Sequence, residues 1–133
     1  METSSSPVSS GELQGLLDAL PDAVFTTDGT GNIEFLNRAA ERLTRHGRET
    51  VVGRPLGDVL PLGTEVDGTP LESPAAVCLR GQASVGPLEA RLLDGGEADR
   101  RVLDISAAPV RDAGGATTGA IIIARDVTCA RQP

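Results

Sequence analysis

The sequence predicts an α+β fold: one five-stranded antiparallel sheet with short helices on one face and a flanking helix at the N-terminus. Three observations predict it. Residues 23–46, AVFTTDGTGNIEFLNRAAERLTRH, read as strand, tight turn, strand and helix in direct succession. The second half of the chain holds three alternating apolar segments separated by glycine-containing turns. Between these halves lie short, capped helical pieces. Two strands before the helices and three after them make the five-stranded sheet.

Each part of the opening unit has a physical reason. Residues 23–27 (AVFTT) are rich in β-branched and aromatic types. Asp28-Gly29-Thr30-Gly31 is a turn, because its glycines accept positive φ and Asp28 can bond the backbone ahead of it. Residues 32–36 alternate, which puts Ile33 and Phe35 on one face and Glu34 on the other. Asn37 offers a side-chain acceptor to the first free N–H groups of a helix, RAAERLTRH. Ala39, Ala40 and Leu43 form its inner face and Arg38, Arg42 and Arg45 its outer one, with Gly47 closing it.

A hairpin running into a helix in this way resembles the opening of a PAS domain, the small sensory module of bacterial signalling proteins. Asp28, Gly29, Gly31, Ile33, Phe35 and Asn37 carry the resemblance, which extends over about residues 13–131. It implies residues 1–8 as a disordered lead, 9–21 as a flanking helix, 22–128 as the PAS domain and 129–133 as a tail leading to an output.

The 133 residues fit one domain, which at this length buries roughly two-thirds of its unfolded surface. Apolar content is 39 %, yet the aromatic residues are Phe25 and Phe35 alone, so the core is aliphatic. The net charge of −7 repels a phosphate backbone, which disfavours nucleic acid as a partner. All twelve basic residues are arginine, which excludes lysine-based chemistry. Cys78 and Cys129 are far apart and read as reduced thiols of a cytoplasmic protein, with a regulatory disulfide or covalent attachment as the alternative. No apolar run approaches the ~20 residues of a membrane span, and METSSSPVSSGE lacks the pattern of a signal peptide.

In the flanking helix, Ser9 and Glu12 fit a capping box, and Pro21 ends the helix. Leu13, Leu16, Leu17 and Leu20 form an apolar stripe. The stripe has two readings: packing on the chain's own sheet, or the seam of a homodimer. After the opening unit, residues 48–52 make one turn. GRPLGDVLP (53–61) is similar to a family segment that leads into a short helix, and 63–70 is a polar loop. Ser73-Pro74 starts a helix that Gly81 stops. The last three strands are 85–93, with Pro87 marking an edge or late start, then 100–110 and 117–126. Asp94-Gly95-Gly96 and residues 111–115 turn between them. Leu103, Ile105 and Ala107 share one face of their strand; Ile121 and Ile123 share a face opposite Ala120, Ile122 and Ala124.

Asp126-Val127-Thr128 resembles the Asp-Ile-Thr signature with which PAS domains pass to a signalling helix. The resemblance makes these three residues the signal relay, in a fragment of a larger sensor or a stand-alone domain. No catalytic constellation is present. His46 is the sole histidine and reads as a surface or capping residue beside Gly47. No His/Cys/Asp/Glu group has metal-binding spacing.

The family's cofactors are disfavoured in turn. Residues 73–80 lack the histidine of haem-binding members, the flavin-photoactive string Asn-Cys-Arg-Phe-Leu-Gln is absent, and a coumaroyl chromophore calls for tyrosine, of which there is none. What remains is a dry core or an aliphatic cavity for a small apolar molecule. Its candidate wall is Phe25, Phe35, Leu43, Val59, Val77, Cys78, Leu103, Ile105, Ile121 and Ile123. The resulting expectation is a non-catalytic sensory or dimerisation module acting on a kinase, phosphatase or transcription regulator, with a ligand-free homodimerisation scaffold as the alternative.

Overall fold

The computed structural model describes residues 15–16, 19–64, 69–93 and 101–127. Ten elements follow in order: strands β1 (Ala23–Asp28) and β2 (Ile33–Leu36), helices α1 (Arg38–Thr44), α2 (Arg48–Val51) and α3 (Leu56–Val59), strand β3 (Leu62–Gly63), helix α4 (Pro74–Gly81), and strands β4 (Val85–Leu92), β5 (Arg101–Arg111) and β6 (Thr117–Asp126). The six strands form one antiparallel sheet in the order β2-β1-β6-β5-β4-β3. α1 packs on β1, and α4 crosses β4, β5 and β6.

The first hairpin is tied as its residues dictate. Asp28 Oδ1 accepts from the Thr30 N–H (2.9 Å), the Thr30 hydroxyl (2.8 Å) and the Asn32 N–H (3.0 Å), and Gly31 supplies φ of 90°. The last hairpin repeats the device: Asp112 Oδ1 accepts from the N–H groups of Gly114 and Ala116. Asn37 is fully buried and does more than cap α1. Its Oδ1 accepts from Ala40 N at 2.9 Å and from Val24 N at 2.9 Å, while its Nδ2 donates to the Asp22 carbonyl at 3.0 Å. One side chain therefore joins the start of β1 to the start of α1. β1 and β6 approach closely at Gly119, where a Cβ would stand 2.0 Å from the Thr27 carbonyl oxygen.

The sheet's inner face and the helices enclose an aliphatic core around Phe25, Ile33, Leu36, Leu92, Leu103, Ile105 and Ile122. Leu103, Ile105 and Ala107 point inward together, as their alternation predicts.

Several expectations are corrected. The sheet has a sixth strand, because Leu62 and Gly63, at the start of what reads as a polar loop, pair with Leu92 and Arg91. Phe35 does not share a face with Ile33. The register shifts between Thr26 and Thr27, so Ile33 and Leu36 turn inward and half-buried Phe35 turns outward beneath the Arg48 guanidinium, 4.8 Å from its ring centroid.

Ile121 and Ile123 lie on the outer face, Ile123 at 39 % exposure. Their neighbours Ala120, Ile122 and Ala124 pair across β1 with Thr27, Phe25 and Ala23 and point inward. α1 ends at Thr44, with Arg45 as its left-handed cap (φ 62°), and Gly47 begins α2 instead of closing α1. His46 is exposed in the link between them. Gly81 is the last residue of α4, whose left-handed cap is Gln82. Ser73 is the N-cap of α4 but makes no side-chain capping bond there.

Pro87 lies where β4 runs beyond β3, next to a register shift between Val85 and Leu88, as an edge proline should. In the flanking stretch Gly15 and Leu16 are helical. Leu13, Leu17, the turn 94–96, Thr128 and Cys129 lie outside the described residues.

Candidate ligand-binding site

An apolar cavity of about 300 Å³ opens at the β3 end of the sheet. Its floor is the inner face of the sheet, from Val85, Leu88 and Ile105, with Leu62 of β3 at one side. Pro74 and Val77 of α4 form the roof, and Leu71 and Glu72 close the remaining side. Leu71 is held there because its N–H donates to the Leu62 carbonyl at 2.8 Å, beside a bridge between Gly63 and Pro70. The cavity lies between α4, residues 71–72, β3 and the sheet.

Of the ten residues proposed for such a wall, the structure brings Val77 and Ile105 to this cavity. Phe25, Val59, Cys78 and Leu103 are packed into the hydrophobic core and do not line it. Cys78 is fully buried, and desolvation pushes its thiol above the ordinary range, partly offset by the positive charge of Arg111. It does not line the cavity. The cavity's other walls, Leu62, Leu71, Glu72, Pro74, Val85 and Leu88, escape sequence reading. Half of them sit in a segment whose place depends on the two-residue pairing of β3.

A second, more polar cavity of about 240 Å³ lies at the other end, where residues 21–23 enter and β6 leaves. Arg42, Leu43, Arg101, Ala124 and Asp126 face it. Leu43, half-buried on α1, belongs to this cavity and not to the apolar one. Arg101 Nη1 donates to the Leu43 carbonyl at 2.7 Å, joining β5 to the C-terminal end of α1.

Register connects the two cavities. Ile105, in the apolar wall, pairs with Ala124 of β6, and Leu103 pairs with Asp126. Val127 N donates to the Val102 carbonyl at 2.9 Å, so β5 holds the chain through that residue. Leu16 and Leu20 are 60 % and 43 % exposed. Among the described residues no three His, Cys, Asp or Glu side chains are grouped to hold a metal ion, and no helix is long and apolar enough to cross a membrane.

A family model described as the PAS fold matches residues 17–132. The chain belongs to the PAS-fold family. This PAS domain is similar to solved PAS structures from several bacteria. One is the PAS domain of a protein from Colwellia psychrerythraea, with TM-score 0.67 and 24 % identity over 90 % of this chain and 97 % of that one. Another is the PAS domain of nitrogen regulation protein NR(II) from Vibrio parahaemolyticus, with TM-score 0.62 and 16 % identity over 90 % and 99 %. A third is the LOV domain of a blue-light activated histidine kinase from Erythrobacter litoralis, with TM-score 0.59 and 22 % identity over 80 % and 96 %. At these identities the likeness is one of fold. No curated protein sequence matches the chain. As a PAS domain, the chain is a module of the sensory signal-transduction type.

Proposed function

We propose that this PAS domain is a non-catalytic cytoplasmic sensor that takes a small apolar molecule into the cavity between β3, α4 and the sheet. One observation carries the reading: a 300 Å³ space walled by aliphatic side chains, Glu72 apart, at the edge of the aliphatic core. Filling it would favour one placement of α4 and residues 69–73 against the sheet. Ile105 passes that preference through its β6 partner to Asp126, Val127 and Thr128, and from there to an effector domain or protein. The ligand differs in chemistry from the family's coloured cofactors. Cys78, the one described cysteine, is buried and protonated away from the cavity, and no Tyr or Trp is available to stack on a ring.

Mass spectrometry of the denatured purified protein tests this. A small apolar molecule recovered in repeated preparations supports sensing, and repeated blanks contradict it.

A second reading, a ligand-free homodimerisation scaffold, is favoured by the exposure of Leu16 and Leu20 on the stripe that includes Leu13 and Leu17. Sedimentation of the wild type and of Leu16→Asp/Leu20→Asp tests it. The scaffold reading expects a dimer that becomes a monomer, and a monomeric wild type contradicts it.

A further inference from the structure

The rim of the apolar cavity carries one charged side chain among its described lining, Glu72. That carboxylate is engaged. Arg80 Nη1 donates to Oε2 and Arg80 Nη2 donates to Oε1 at 2.8 Å, a two-pronged pair. Arg80 follows Val77 by three residues on α4, so the two share a helix face, and Val77 lines the cavity. The pair is exposed on the protein surface, with side-chain accessibilities of 64 % for Arg80 and 50 % for Glu72.

This arrangement bears on the head group of whatever apolar molecule enters. An aliphatic tail has room among Val77, Leu88 and Ile105, and its polar end emerges beside Glu72. A carboxylate head would meet a fixed like charge there. It would also find the Arg80 guanidinium with its fork already filled. A hydroxyl head meets no such repulsion.

We infer that Glu72 sets head-group specificity by holding Arg80, so that the cavity takes uncharged aliphatic molecules in preference to carboxylates of the same length. The inference rests on the cavity reading above and adds the chemical class of its ligand. Glu72→Gln removes the rim charge and frees the Arg80 fork, whose geometry matches a carboxylate. Arg80→Gln leaves Glu72 charged and unneutralised.

The test uses octanol and octanoate at neutral pH and low salt. Binding to wild type, Glu72→Gln and Arg80→Gln is followed through the ¹³C methyl signals of Val77 and Ile105. Wild type should bind octanol more tightly than octanoate. Glu72→Gln should strengthen octanoate about two- to five-fold, the scale open to an exposed and screened pair, with octanol unchanged. Arg80→Gln should weaken octanoate alone. Octanol binding with the same octanol-to-octanoate ratio in all three proteins, or a parallel change for both molecules, overturns the role of Glu72. Failure of both molecules to bind any of the three proteins overturns the cavity reading instead.

Discussion

Two helices in this domain begin at residues that the sequence marks as caps, and they are held in different ways. Asn37 is fully buried and joins α1 to β1 through bonds to Val24, Asp22 and Ala40. Ser73 stands at the start of α4 without a capping bond, and the same helix is latched on its outside by the exposed Glu72–Arg80 pair. The contrast extends to the regions around them. β1, β2 and α1 are joined by buried hydrogen bonds, and the cavity that β1 and α1 line is the smaller and more polar of the two described above. β3 and residues 69–73 lie at the sheet's far edge and, with α4 crossing β4, β5 and β6, bound the apolar cavity. Buried polar bonds of this kind are costly to break, whereas an exposed ion pair contributes little. On the function proposed above, the β3–α4 region would accommodate the guest, and the region tied by Asn37 would give β5 and β6 a fixed reference for relaying the change.

Substitutions can sharpen or break this contrast. Asn37→Ala removes the cap and strands the buried Val24 N–H. Chemical denaturation should show a loss of about 2–4 kcal/mol. Val77→Phe, at the cavity, should cost less than about 1 kcal/mol, since the ring has free volume to occupy, and it should abolish octanol binding. A loss there as large as at Asn37 would mean that no usable space exists.

Asp28 gives a pH test of the tied half. The Thr30 hydroxyl, followed by the Asn32 N–H, holds its carboxyl below the ordinary 3.8. Its folded value is depressed, so its contribution is complete above that ordinary value and is lost as pH falls from there through the folded value. Denaturation midpoints over acid pH should therefore decline more steeply in wild type than in Asp28→Asn. The smallest effect belongs to Ser73→Ala, which should change stability by no more than about 0.5 kcal/mol. A loss near that of Asn37→Ala would erase the distinction between the two caps.

Much of the tied half is legible in the sequence because its determinants are local. An aspartate two and four residues before the N–H groups it accepts, and an asparagine at the head of a helix, act within a few positions of themselves. The inward faces of Leu103, Ile105 and Ala107 follow from alternation alone. Long-range register is not legible in this way. Three consecutive isoleucines, 121–123, permit either parity, and only pairing with β1 turns Ile122 inward. Phe35 faces outward because of a register shift that no residue of β2 announces. The cavity is the least legible feature. Val77 and Ile105 are recognisable as apolar residues near a helix and a sheet, but the space between them comes from the placement of Leu62, Leu71 and Pro74. That placement follows from a two-residue strand below the length at which a periodic pattern can be seen.

The most direct measurement is a methyl NMR titration of the wild-type protein with octanol. If the loosely tied half is the receptive one, the signals of Val77, Val85, Leu88 and Ile105 should shift together and saturably while those of Ile33 and Leu36 stay in place. Shifts at Ile33 and Leu36 of equal size, or shifts confined to Ile121 and Ile123 on the outer face, would contradict the account.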